Sequence, residues 1–180
     1  MKILLGVTGG IAAYKSCELC SLAVKQNHQV KVIQTPNSKK FVGALTFEGL
    51  TGSQVLFDTF DCAMDHIEWA KWADIIIVAP MTANMMAKIA QGLCDDLLST
   101  TVIATPINTP ILLCPAMNTH MWTNPLTQRN LEILQSTNRF TFTMPVSKRL
   151  ACGDVGIGGL AEPLDVLNQA ESLHRNNQVS

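Results

Sequence analysis

The sequence carries little charge. Only 15% of its 180 residues are charged, where about 25% is typical, and 13 Lys or Arg against 14 Asp or Glu leave a formal net charge of -1. Without an excess of cations, nucleic-acid binding through bulk electrostatics is excluded. The low charge also predicts that other subunits cover part of the surface. The 47% of hydrophobic residues exclude intrinsic disorder and suffice for one domain of ordinary size.

Long apolar runs and metal-ligand patterns are also absent. No apolar run approaches the roughly 20 residues of a membrane span, and the longest covers only residues 75–80. Met1 and Lys2 lead directly into a short apolar run, so we expect no secretory leader. The sequence has no HExxH, no paired metal-ligand cluster and no GxSxG elbow. The six cysteines therefore indicate free thiols in a reducing, cytoplasmic compartment rather than a disulfide framework.

Short apolar strands alternate with helices along the chain. Strands are predicted over 2–8, 30–34, 74–79, 111–114 and 140–143, and helices over 11–26, 66–73, 83–91, 95–104, 125–137 and 163–174. Pro80 is predicted to end the third strand, and the tail from Arg175 to Ser180 to fray. The alternation predicts an α/β fold, a doubly wound parallel sheet in a flavodoxin- or Rossmann-like three-layer sandwich, as a single domain over 1–180.

In such folds ligands bind beyond the carboxyl ends of the strands. The unusual residues of this sequence follow four predicted strands, in the segments 8–10, 35–38, 79–84 and 115–122. The glycines of the first segment open a helix and suit either a phosphate site or a tight turn. Thr82 and Asn84 suit helix capping. The Met- and Trp-rich segment 115–122 favours contact with a planar cofactor or another subunit over core packing.

Two further side chains suit proton chemistry. His66 opens a short predicted helix, where either a structural or an acid–base role is open. Residues 150–162 contain four glycines and Cys152, which predicts a flexible flap rather than an element interior. A cysteine on such a flap is a candidate proton donor or nucleophile. Cys17-x-x-Cys20 lies within the first helix and lacks a second ligand pair, which argues against metal or redox use.

Together these segments resemble the flavin-containing cysteine decarboxylases over roughly residues 2–170. The specific parts are the octamer Pro115-Ala116-Met117-Asn118-x-x-Met121-Trp122 and the flap Ala151-Cys152-Gly153-Asp154-x-Gly156. Supporting parts are the glycine loop at 6–15, His66-Ile67, the segment 79–84 and the segment 95–100. Within the family the resemblance is strongest to members that act on 4′-phosphopantothenoylcysteine in coenzyme A biosynthesis.

The resemblance implies bound FMN and assigns residues to it. The loop at 8–12 would meet the phosphate end, and His66 would be the base and Cys152 the proton donor. Asn118 would hold the carboxylate or amide of the substrate, with Met121, Ala151 and Gly153 beside it. The flavin itself would contact Gly9, Gly10, Ile11, Thr35, Phe41, Thr82, Ala83, Asn84, Met85, Ser99, Thr100 and Ala116.

The resemblance also implies a reaction and an assembly. The flavin would oxidise the cysteine moiety to a thioaldehyde, which accepts the electrons of the departing carboxylate, and the resulting enethiol would be reduced again. The flavin site would lie between the subunits of a homotrimer, and some members pack trimers into dodecamers. A ligase that joins cysteine to phosphopantothenate would act before this step, on the same or a separate chain.

Three alternative functions share part of this sequence pattern. A peptidyl-cysteine decarboxylase of the lantibiotic-maturing type would share His66 and Asn118 but act on the C-terminal cysteine of a peptide. A flavin prenyltransferase would not use a flap cysteine as proton donor. A non-catalytic flavin-binding regulator would carry a long acidic tail, which this sequence lacks.

Overall fold

A five-stranded parallel sheet forms the centre of the molecule, in a computed structural model that describes residues 1–58, 65–149 and 155–179. The strand order is β2-β1-β3-β4-β5. The strands are β1 (Lys2–Val7), β2 (Gln29–Gln34), β3 (Ile75–Met81), β4 (Ile111–Pro115) and β5 (Phe140–Phe142). The order reverses between β1 and β3, so the crevice at their carboxyl ends is the expected ligand site.

Eight helices of the described residues accompany the sheet. They are α1 (Ala13–Lys25), α2 (Ala44–Thr51), α3 (Asp65–Trp72), α4 (Ala83–Gln91), α5 (Leu97–Ala104), α6 (Thr119–Trp122), α7 (Pro125–Ser136) and α8 (Pro163–Val179). The sequence analysis did not predict α2, α6 or the single 3-10 turn Ser38–Lys40.

Alternate residues of β1 to β4 supply two separate cores. Ile3, Leu5 and Val7 pack with apolar residues of α1, α2 and α8 on one face of the sheet. Leu4 and Ile76 pack on the other face with residues of α3, α4, α5 and α7. Because every central strand is buried on both faces, its sequence shows no polar alternation. The predicted doubly wound, three-layer α/β architecture is therefore confirmed.

The end of β3 differs from its prediction. Pro80 does not stop the strand, which continues through a cis Ala79–Pro80 peptide bond to the fully buried Met81. Proline lacks the N–H that a central strand needs, and the pairing of β3 with β4 shifts between Val78 and Met81, where Met81 then meets Pro115. Strand β3 thus ends at Met81, two residues later than predicted.

The C-terminal segments also differ from their predictions. The helix α8 continues to Val179, because polar contacts such as the one from Asn177 Nδ2 to the Asn108 carbonyl oxygen (2.8 Å) fix its last turns. The predicted fraying is therefore wrong for residues 175–179, and Ser180 lies outside the described residues. Within the predicted flap, Val155–Gly159 form strand β7, paired antiparallel with β6 (Val146–Arg149). Glycine is compatible with this two-stranded ladder. This part of the predicted flap is therefore a regular strand, contrary to the prediction.

The cysteines of the described residues divide by burial. Cys20 and Cys114 are buried, Cys17 is half-buried and Cys94 is exposed. Burial raises the pKa of the Cys114 thiol to about 12 and that of Cys20 well above its usual range, so both stay neutral and act as core groups. Cys62 and Cys152 lie outside the described residues. Within the described ranges, no helix combines the length and apolarity needed to cross a membrane.

Candidate functional site

A cavity of about 1050 Å³ lies at the carboxyl ends of β1, β3 and β4. The loops that follow the first four strands all reach its wall, through residues 8–12, 35–37, 82–85 and 116–118. Residues 158–160, at the end of β7, add a fifth segment. The convergence follows from the parallel sheet, which brings the carboxyl ends of its strands to one edge.

Thr8 ties two of these loops together. Its hydroxyl donates a hydrogen bond to the Pro80 carbonyl oxygen (2.7 Å) and accepts one from the Thr82 backbone N–H (3.1 Å). Thr8 is only 1% exposed, so its hydroxyl makes both hydrogen bonds away from bulk water. Thr82 in turn caps α4, its hydroxyl accepting from the Met85 N–H, as predicted. The relative position of the first and third loops therefore depends on one buried hydroxyl.

We expect Thr8→Val to lower the free energy of unfolding by about 1–3 kcal/mol. Valine has the same shape, but it leaves the buried Pro80 carbonyl oxygen and the half-buried Thr82 N–H without this partner. Urea unfolding of the variant measures the effect. The exposed Thr46→Val serves as the control and should stay within about 0.5 kcal/mol of the parent protein. Equal stability of Thr8→Val and the parent would contradict the assigned role.

The glycine loop offers unpaired backbone donors. In the described part of the chain, the N–H groups of residues 9–12 have no acceptor, and Ala12 caps α1 without a side-chain hydrogen bond. Gly9 has no room for a side chain, since a Cβ there would lie 2.9 Å from the Asn37 backbone carbon. Gly10 faces open space, with Thr82 Cγ2 as the nearest atom at 3.7 Å. The loop is therefore a cradle suited to an anion at the N-terminus of a 13-residue helix.

The segment 115–122 divides between the core and the cavity. Trp122 is buried in the core, contrary to its predicted contact with a cofactor or a subunit. Asn118 and Met121 line the cavity, and Asn118 caps the short helix α6 by accepting from the His120 N–H (2.8 Å). The Met117 N–H donates to the Gly158 carbonyl oxygen (2.9 Å), which joins this segment to β7.

Two charged clusters lie on the wall. In the first, Lys88 contacts Asp95 and Asp96, each at 2.6 Å. Burial opposes the ammonium form of Lys88, but the hydrogen bonds to the two carboxylates outweigh it and raise its pKa. In the second, Lys15 Nζ contacts both oxygens of Glu162 at 2.8 and 2.9 Å. Burial again opposes the ammonium form, here of Lys15. Its hydrogen bonds to Glu162 more than offset this effect of burial and raise the pKa of Lys15.

The structure places most predicted contact residues together. Those on the cavity wall are Gly9, Gly10, Ile11, Thr35, Thr82, Ala83, Asn84, Met85, Ala116, Asn118 and Met121. Phe41, Ser99 and Thr100 do not line this cavity. Ser99 is buried within the capping box of α5, and Phe41 is half-exposed beside the 3-10 turn. Ala151, Cys152 and Gly153 lie outside the described residues.

His66 also lies away from the cavity wall formed by the described residues. It stands in the first turn of α3 and is half-buried. Its Nδ1 is buried without a hydrogen-bond partner among the described residues. A single chain thus presents Asn118 to the cavity but not the predicted base.

Several wall residues were not predicted as site residues. Tyr14, Lys15 and Asn37 lie within a few residues of predicted site residues. Their places in or next to the loops that follow β1 and β2 could therefore have indicated them. Lys148 lies on β6, which the sequence analysis did not predict, and no signal in the sequence indicated it.

The chain belongs to the Flavoprotein family, whose sequence profile matches residues 1–174. It is 44% identical over 174 residues to the coenzyme A biosynthesis bifunctional protein CoaBC of Bacillus subtilis (strain 168), with 94% of this chain and 42% of that protein covered. The CoaBC of Escherichia coli (strain K12) is 41% identical over 173 residues, with the same coverage. The chain therefore spans less than half the length of these curated relatives.

Solved structures agree with this family. A cysteine-to-serine mutant of a PPC decarboxylase, complexed with pantothenoylaminoethenethiol, is 34% identical with a TM-score of 0.86, and the match covers 97% of this chain and 98% of that one. The FMN binding protein AtHal3 is 34% identical with a TM-score of 0.83 and 97% coverage of both chains. The peptidyl-cysteine decarboxylase EpiD is 25% identical with a TM-score of 0.81, covering 94% of this chain and 98% of that one.

The residues of the cavity fit the flavin cofactor of the family. The unpaired N–H groups of residues 9–12 suit a phosphate, and the open space at Gly10 lets a ligand approach the backbone. Apolar side chains of Ile11, Ala83 and Ala116 suit the faces of a planar ring system. This chain therefore has both a polar and an apolar surface for a flavin on one wall.

Proposed function

We propose that this chain is an FMN-dependent decarboxylase that converts 4′-phosphopantothenoylcysteine to 4′-phosphopantetheine in coenzyme A biosynthesis. The observation that carries the proposal is that the glycine loop and the segment of Asn118 and Met121 share one cavity wall. Similarity to CoaBC proteins and to a PPC decarboxylase complexed with pantothenoylaminoethenethiol supports the substrate class. Similarity to the FMN binding protein AtHal3 supports FMN.

The residues of the chain have separate tasks in this proposal. FMN, when bound, supplies reversible hydride transfer, which the side chains of the protein cannot provide. The N–H groups of residues 9–12 hold its phosphate. Asn118 orients the cysteine carboxylate of the substrate, its own side chain being fixed by the cap of α6. His66 acts as the base and Cys152 donates the final proton.

The proposal includes an assembly and a cellular context. The flavoprotein domain occupies residues 1–180 and acts as a homotrimer, alone or packed as a dodecamer, with the active site between subunits. His66 does not line the cavity that the described residues of its own chain form, which supports a shared site. The protein acts in the cytoplasm on a substrate made by a phosphopantothenate–cysteine ligase, without nucleic acid or a membrane as partner.

Mass spectrometry of the reaction tests the function. We expect the FMN-loaded protein to convert 4′-phosphopantothenoylcysteine with loss of one CO2. In a single anaerobic turnover, Cys152→Ser should still release CO2 but yield the enethiol, which is two hydrogens lighter than 4′-phosphopantetheine; the two hydrogens stay on the flavin because the step that returns them lacks its proton donor. Cys94→Ser, at an exposed cysteine, is the matched control and should give the saturated product.

Each result has a defined meaning. Saturated product from Cys152→Ser would rule out Cys152 as the donor. The other outcome is a flavin-loaded protein that leaves this substrate unchanged and decarboxylates a peptide with a C-terminal cysteine. That result would contradict the proposal and favour peptidyl-cysteine decarboxylation, the activity of the similar protein EpiD.

A further inference from the structure

We propose that Lys148, beside the Lys15–Glu162 ion pair, binds the phosphate monoester of the substrate and makes the enzyme prefer phosphorylated substrates. This inference rests on the proposed function. It is carried by the position of Lys148, by the charge balance around it and by the space that Gly159 leaves for it.

Lys148 reaches the cavity from the β6–β7 hairpin. Its side chain is half-buried and runs across Gly159, where a Cβ would collide with Cε of the lysine. The Cδ and Cγ atoms would both lie 2.9 Å from that Cβ. The lysine therefore occupies the volume that a side chain at position 159 would fill, and this route brings its ammonium group to the wall beside Leu160.

Among the described residues, the cluster of Lys148, Lys15 and Glu162 has two basic groups for one carboxylate. Glu162 directs both carboxylate oxygens to Lys15, at 2.8 and 2.9 Å. Within the described residues, Lys148 makes no ion pair; its Nζ lies 3.5 Å from the Leu160 carbonyl oxygen, and its side chain also contacts that of Lys15. Burial and the neighbouring Lys15 ammonium lower the pKa of Lys148, while Glu162 opposes this. An anion on the cavity side would relieve the repulsion between the two lysines.

A phosphate is the anion that suits this position. A lysine ammonium group binds phosphate as a point charge with three donors. The proposed function already gives the cysteine carboxylate to Asn118 and the FMN phosphate to the N–H groups of residues 9–12. The other charged cluster of the wall, at Lys88, already holds two carboxylates and would repel a phosphate. The phosphate of the substrate therefore matches the lysine cluster.

Kinetics with paired substrates test the inference on the FMN-loaded enzyme. The ratio of kcat/KM for 4′-phosphopantothenoylcysteine to that for pantothenoylcysteine should exceed one in the parent protein. Lys148→Met should lower this ratio by about ten- to a hundredfold, since a charge-assisted contact is lost. Lys25→Met, at an exposed lysine in the last turn of α1, should leave it unchanged.

A second variant keeps the charge and removes the space. Gly159→Ala should displace Lys148, whose flexible chain yields before the backbone does, and should lower the ratio in the same direction. An unchanged ratio in both variants would overturn the inference.

Flavin binding separates the remaining outcomes. If Lys148→Met weakens FMN relative to riboflavin and leaves the substrate ratio intact, the lysine serves the flavin phosphate and the inference fails. A parent enzyme that turns over both substrates equally well would also overturn it, with the decarboxylase proposal still standing. A parent enzyme that turns over neither substrate would remove both proposals.

Discussion

Gly158→Ala is expected to lower kcat/KM on the order of a hundredfold. Gly158 has a φ of +150°, a conformation essentially reserved for glycine, and its Cβ would collide with the Met117 carbonyl oxygen. That oxygen is backbone and cannot rotate aside. The hairpin must therefore move away from the segment that carries Asn118 and Met121, and a displacement of about 1 Å near the reacting groups has an effect of this size.

Three measurements check this prediction. The visible spectrum of the purified variant reports whether flavin is retained, urea unfolding should show a loss of about 1–3 kcal/mol, and kcat/KM reports the chemistry. Gly49→Ala is the matched control, because a Cβ at Gly49 meets no atom within 4 Å and its φ is not positive. If Gly158→Ala were as active as Gly49→Ala, the close contact between β7 and Met117 would not matter for catalysis.

Two inactive variants are expected to restore activity in mixed oligomers. His66→Asn removes the proposed base, and Asn118→Asp keeps the cap of α6 but sets a carboxylate against the carboxylate of the substrate. Each alone should lose about 10²- to 10⁴-fold in kcat. Coexpressed in equal amounts, they should form mixed trimers with about a third of the parental activity, because one of the three sites then takes an intact His66 from one subunit and an intact Asn118 from the next.

The design carries its own controls. The double variant, which carries both substitutions on one chain, should be inactive when expressed alone, and so should each single variant. Mixed oligomers are isolated through two different tags, so that assembly is verified before kcat is measured. Inactive mixed oligomers would place both residues in the site of one chain and contradict the proposed division between subunits.

The fold was predictable because its strongest signals are local. The run 75–79 has no polar alternation, which indicated a strand buried on both faces, and the flanking helical periods indicated the layers. The bounds of α4 were predicted to the residue, since Thr82 caps one end and Gly92, in the left-handed region, terminates the other. Boundaries failed where tertiary contacts decide, as at Pro80, whose irregular pairing with β4 is a property of the assembled sheet.

The site was predictable only in part, for the same reason. Gly9 and Thr82 follow strands, so the topology alone brings them to one edge. Lys148 lies on a strand of four residues without a periodic pattern, and it joins the site only through long-range contacts with Leu160 and the Lys15–Glu162 pair. Ser99 belongs to a matching motif, yet its side chain bonds to Asp96 of its own helix cap. A motif identifies a segment but not the direction in which a side chain points.

The two borders of the central sheet restrict how copies of this protein associate. Beyond β2, the chain returns so that Leu56 exchanges backbone hydrogen bonds with Val32 and Gln34, which covers the carboxyl-terminal half of that border. At the other border, β5 has only three residues. The central sheets of two molecules therefore have little free backbone with which to pair edge to edge, the route by which exposed edge strands aggregate. Among the described residues, contacts between copies are therefore expected to fall on the helices, the loops and the β6–β7 hairpin rather than on the borders of the central sheet.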